Sequence, residues 1–286
     1  MNMVGWGDYL HHPARRAAPP RPMRGVTFAL WLALGVEAFF AVLSIAAYAL
    51  RLHVIKMLET GGPLSQQAIA SSNHFVHVVA ELSIPMIIIV QIILLVWVHE
   101  ARKDLEAFRS GPFRFSSAFA VWSFIIPFAN FWLPYLVLRE IWKGSDPGLA
   151  PFSPEPFWTR RGSPLVVAWW VVFLVNNLFG VAVAEFVLHG GSDTSLGHFR
   201  LAAELNIASG ALRLASLAVT AGLAHRVLCR QEALALQLAS GPWTSGPWTS
   251  GPWTPGPWTP GPWTPGPEPM PEAVPAAGAS LPPEVV

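Results

Sequence analysis

Between Ser117 and Leu138 the chain reads SAFAVWSFIIPFANFWLPYLVL, with a basic loop on each side. The stretch carries no charge and is long enough to cross a bilayer, yet it holds two prolines and an asparagine where a simple span would have none. Pro127 and Pro134 each remove a backbone donor and disrupt the preceding turn. Asn130 lies between them, and non-helical backbone at membrane depth is tolerated only when protein or a cavity covers it. How this stretch sits decides the topology of everything else.

Four other apolar runs surround it, at about 26–50, 78–98, 164–188 and 201–228. The first is too long for the core of a signal peptide, which is about 7–15 residues, so it reads as an uncleaved span. Charged residues make up 12% of the 286, about half of what a soluble domain carries, which points to lipid as the solvent. A net charge of +1 gives no reason to expect nucleic acid, and the single cysteine, Cys229, excludes an intramolecular disulfide.

Basic residues concentrate in cytoplasmic loops, and this rule selects the topology. Counting Arg226, at the inner end of the last run, with its flank and leaving out Arg213, the two sides hold nine and eight Lys and Arg if 117–138 crosses, which is no bias. If it dips in and returns, or lies in the interface, one side holds fourteen and the other three. The second arrangement is preferred. The expected fold is therefore an all-α integral membrane protein. It has a four-helix transmembrane bundle plus a proline-broken re-entrant or interfacial segment, with both termini cytoplasmic. Residues 1–25 are expected to be a disordered lead-in, 26–230 the membrane domain, and 231–286 a disordered tail. That tail carries GPWT five times, a Pro- and Gly-rich repeat unable to form a helix or a packed strand.

At the central stretch the sequence resembles the bacterial membrane proteins grouped as domain of unknown function 4328. The residues that carry the resemblance are Trp97 with Ala101 and Leu105, Arg114-Phe115-Ser116, Pro127-Phe128-Ala129-Asn130, Pro134-Tyr135, and Arg139-Glu140-Ile141-Trp142 with Ser145. The chain departs from the common pattern at Ser117-Ala118 and Trp122-Ser123. The resemblance implies a bacterial inner (cytoplasmic) membrane protein and brings no catalytic residues and no cofactor.

Ionisable groups inside a span are costly and become functional candidates by default. Helix rise places Glu37, Gln91, Asn176, Asn177 and Arg213 near the midplane, at least one from each clear span. In the last span Asn206, Ser209, Arg213, Ser216 and Thr220 follow a 3, 4, 3, 4 spacing, which gathers them on one helical face turned inward. Two readings stand. In one, a Glu37–Arg213 pair and interhelical hydrogen bonds hold the bundle together; in the other, the same groups line a path for a proton or small solute. At the outer edge, His74, His77 and Glu81 share a helical face, with Glu185, His189, His198 and Glu204 on other spans. They are weak candidates for metal ligands, because no catalytic zinc spacing accompanies them. No nucleophile elbow or phosphate-cradling glycine loop occurs, so a non-enzymatic protein is expected, with the lipid bilayer as its evident partner.

Overall fold

A computed structural model of the chain describes residues 23–63, 65–109, 113–126, 128–149, 155–189 and 195–240. Pro127 and the GPWT repeats lie outside the described residues. Six α-helices account for most of them: α1 (Arg24–Glu59), α2 (Gln66–Phe108), α3 (Ser117–Ile125), α4 (Leu133–Gly144), α5 (Pro164–His189) and α6 (Leu196–Ser240). No strand occurs among the described residues. Helices α1, α2, α5 and α6 are each long and apolar enough to cross a membrane.

Three of the four outrun the apolar stretches that announce them. With 43 and 45 residues, α2 and α6 extend about 65 Å at the usual helical rise, roughly twice a hydrocarbon core. Residues 51–77, the polar stretch between the first two apolar runs, are mostly helix, and the connection shrinks to a turn near 60–63. The helices stop where capping stops them, not where the apolar run ends. After α1, the Gly61 N–H bonds the Leu58 carbonyl (3.2 Å) and the Gly62 N–H bonds that of Met57 (2.9 Å). Gly61 takes the left-handed φ of +68° that this two-bond closure requires. Ser65 then caps α2, its Oγ accepting from the Ala68 N–H at 3.1 Å. At the far end α6 continues to Ser240, so residues 231–240 are helical and not the start of a tail.

In the bundle α1 packs against α2 and α6, and α6 against α5. Gly210 sets the distance between α1 and α6: a Cβ there would lie 2.6 Å from Ile45 Cγ1. Small residues at such crossings let two backbones approach closely. Ile84, Ile88 and Ile92, four apart along α2, are each more than half exposed and face outward, as lipid-facing side chains do.

Helices α3 and α4 have 9 and 12 residues, well short of the roughly 17–25 that a crossing needs. They form a hairpin between α2 and α5 whose two ends lie at the same end of the bundle. Where it begins, the Ser117 carbonyl lies 3.3 Å from His99 Nδ1 on α2. Where it finishes, the Gly144 carbonyl accepts from Arg109 Nε at 2.9 Å, ten residues further along α2. Its tip reaches the level of Trp170, whose indole N–H donates to the Phe131 carbonyl at 2.9 Å. Trp170 lies six residues into α5, so the hairpin penetrates about 10 Å and turns back. Its helices are therefore too short to cross, as expected for a segment that is re-entrant or lies in the interface.

Local chemistry builds the hairpin. Ser116 caps α3 by accepting from the Phe119 N–H (3.1 Å), and Pro134 occupies the first turn of α4, where its missing donor costs nothing. Between them a 3₁₀ turn spans Ala129–Phe131, and Phe128 before it has φ +63°.

Most of the apolar core sits at the hairpin end. Trp97, Leu105, Val137 and Ile141 are almost fully buried there, together with Leu30, Val166 and Val227. At the opposite end the packed cluster is small, centred on Ala47, Val76 and Val79.

Candidate functional site

The midplane residues do converge. A cavity of about 150 Å³ lies among all four long helices, with Glu37 from α1, Gln91 from α2, Asn176 and Asn177 from α5, and Arg213 from α6 in its lining. Ser216 and Thr220 of the polar stripe join them, whereas Asn206 and Ser209 do not. The cavity has room for several water molecules and walls polar enough to hold them. Trp169 and Phe173 form its side toward the hairpin, and the Phe124 ring of α3 packs edge-on against both, with centroids 6.3 and 6.4 Å away. The hairpin thus underlies the cavity.

Inside it, the Arg213 guanidinium pairs directly with the Glu37 carboxylate. The Glu37 side chain is only 2% exposed, so this charge has no solvent to rely on. The neighbouring polar groups are largely committed within the fold. Thr220 Oγ1 donates to the Ser216 carbonyl (2.8 Å) and accepts from the Trp169 indole (3.1 Å). Asn177 and Asn206 each donate back to their own helix, to Phe173 O at 2.7 Å and Ala202 O at 2.8 Å. A second buried Trp–Thr bond, Trp97 Nε1 to Thr27 Oγ1 at 3.1 Å, ties α2 to α1.

Among the described residues the outer-edge histidines do not form a centre, and the His189 side chain lies outside them. His74, His77 and Glu81 are all exposed on α2, and no group of three or more His, Cys, Asp or Glu among the described residues could hold a metal ion. His198 stacks on Phe186 with centroids 4.6 Å apart, and Glu204 pairs with Arg200 at 3.0 Å.

The motif residues of the hairpin turn out to be its fastenings. The Glu140 carboxylate lies 3.5 Å from Arg102 Nε, Tyr135 packs on Trp170 (5.3 Å), and Trp142 takes the Arg230 guanidinium over its ring at 4.3 Å. Asn130 sits in the tip turn, its N–H bonded to the Ile126 carbonyl at 3.0 Å.

Four groups that matter here were not singled out from the sequence: Arg102, Arg109, Arg230 and Gln231. Arg109 donates to the carbonyls of Gly144, Asp146 (2.6 Å) and Leu149 (2.8 Å), and so closes the C-terminal end of α4. Burial pushes its guanidinium down to about 10, which leaves it charged near neutral pH. Gln231 bridges the Ala101 carbonyl (2.9 Å) and Ser145 Oγ (3.2 Å). Glu140 and Lys143, which amphipathic spacing alone would send to the headgroups, are instead buried. Burial raises the Glu140 carboxyl above its usual range against the opposing pull of Arg102, and lowers the Lys143 ammonium. A signal was present: Arg102 and Arg109 are seven apart, which on a continuing helix puts them on one face.

The model of the family described as Domain of unknown function (DUF4328) matches residues 61–228. The chain belongs to the DUF4328 family. The match covers the whole hairpin and runs from the turn after α1 to residue 228 within α6. Within this DUF4328 domain lie Gln91, Asn176 and Arg213, while their partner Glu37 precedes it. No characterised protein and no solved structure matched in the other two comparisons.

Proposed function

We propose that this DUF4328 protein is a non-enzymatic component of the bacterial inner membrane, structural or regulatory, with both termini in the cytoplasm and its hairpin end offering a surface to partners. The observation that carries this reading is the Glu37–Arg213 pair: the midplane charges are spent on each other, with the carboxylate shut off from solvent. The fourteen-to-three distribution of basic residues supports the orientation. The chemistry a membrane enzyme would need, a nucleophile with its base or a metal-ligand set, has no support in the residues gathered here.

One observation favours a second reading, a small transporter or proton-conducting protein. The pair borders a polar cavity of about 150 Å³ that Gln91 and Asn176 also line. Flux separates the two. The purified chain in proteoliposomes, under an imposed potential and with a trapped pH dye, is expected to pass protons no faster than empty vesicles. A flux that disappears in the Glu37→Gln/Arg213→Gln double variant would replace the structural reading with the conducting one.

A further inference from the structure

A second cavity, of about 450 Å³, opens beside α4 at the base of the hairpin. Its size falls in the range of small-ligand sites. Leu136, Arg139 and Lys143 reach it from one face of α4, at spacings of three and four. Arg114 comes from the segment leading into α3, and Phe157 and Trp158 from the 3₁₀ turn before α5.

Three cations therefore border one cavity, and none of the three is in a salt bridge among the described residues. The acid beside them, Glu140, is turned toward Arg102 at 3.5 Å. Lys143 is held in place by donating to the Trp158 carbonyl at 2.7 Å, and Arg139 lies near enough to oppose its charge. Arg114 also draws on Glu140, but three cations outnumber that one acid in the lining, and the excess positive charge calls for an anion. The rest of the wall is apolar, and Trp158, half exposed at the rim, is the residue type that settles at the headgroup level. One end of the site suits an oxyanion, the other a hydrocarbon chain.

We propose that this pocket binds an anionic phospholipid, its phosphate held by Arg114, Arg139 and Lys143 and its acyl chain laid along Leu136 and the aromatic wall. Guanidinium groups suit this task because their forked donors match phosphate oxygens. Basic pockets between membrane helices are a recurrent setting for such headgroups. The inference rests on the membrane placement of the helices and is independent of the function proposed above.

The test uses the full chain in detergent, with lipid binding read as retention in native mass spectrometry and as a shift in melting temperature. Phosphatidylglycerol, phosphatidylcholine and inorganic phosphate are the probes. Phosphatidylglycerol is expected to bind and stabilise, and the other two are not. Arg114→Gln/Arg139→Gln, two exposed positions outside any ion pair, is expected to weaken phosphatidylglycerol roughly thirtyfold while leaving the melting temperature in phosphatidylcholine unchanged. Arg161→Gln, an exposed basic residue outside the pocket, is expected to change nothing. Equal losses in both variants would mean a general surface-charge effect and overturn the site. Stabilisation by inorganic phosphate as strong as by the lipid would overturn the lipid assignment.

Discussion

Glu37 on α1 and Arg213 on α6 form an ion pair at the centre of the bundle, three residues from the point where Gly210 brings the two helices together. A charge left alone at that depth costs far more than the pair gains by forming, because the Glu37 carboxylate is almost fully buried. Glu37→Gln and Arg213→Gln are each expected to destabilise by about 3–5 kcal/mol, the range for broken buried pairs. The double variant should recover much of that loss. Additive losses, measured by thermal unfolding in detergent, would show that the two groups are not partners.

The close approach of α1 and α6 makes a sharper packing prediction. Gly210→Ala puts a methyl group within 2.6 Å of Ile45 Cγ1, so one of the helices must shift. Overpacking of this kind costs about 1–3 kcal/mol. Ile45→Ala should restore part of the loss in the same background by removing the facing Cγ1 and Cδ1, and an unchanged melting temperature for Gly210→Ala would mean that the helices are further apart than described.

The Trp97–Thr27 bond joins α2 to α1 in a place closed to solvent, with the two residues 1% and 0% exposed. Thr27→Val keeps the shape and removes the acceptor. It should cost about 1–3 kcal/mol, the usual penalty for an orphaned buried donor. Trp97→Phe added to it should cost little more than Trp97→Phe alone, since the bond is already gone.

Much of this arrangement was legible in the residues. The four long apolar helices, the failure of 117–138 to form a fifth and the inward part of the α6 stripe, Arg213, Ser216 and Thr220, all follow from length, proline placement and helical periodicity. The ends of the helices were not legible, because a helix that leaves the membrane turns polar without ceasing to be a helix. The sequence 51–77 looks like a loop for that reason. The buried cations were hidden by the same change of solvent: a loop arginine reads the same whether it lies in water, as Arg161 does, or closes a helix end, as Arg109 does. Which of Glu37, Gln91, Asn176 and Arg213 meet was open until rotation about each helix axis was known.

Glu140 predicts a dependence on pH. Burial raises its carboxyl in the folded protein, so the folded state holds that proton more tightly than the unfolded chain. This contribution is complete below the unfolded value of about 4.3 and is lost as pH rises through the folded value. The stability of Glu140→Gln relative to the parent should therefore increase from pH 4 upward. A relative decrease over that interval would mean that the ion pair with Arg102 dominates over burial.

The central claim is that the hairpin enters and leaves on one side. Single cysteines at Glu106, Gln66 and Arg161, all exposed positions, can be introduced after Cys229→Ser. Glu106 precedes the hairpin, Arg161 follows it, and Gln66 lies at the other end of α2. Intact cells treated with an impermeant thiol reagent should label only the position-66 variant, leaving 106 and 161 both protected. Labelling of one of that pair and not the other would mean that 117–138 crosses the membrane, and the four-span bundle with its re-entrant hairpin would be wrong.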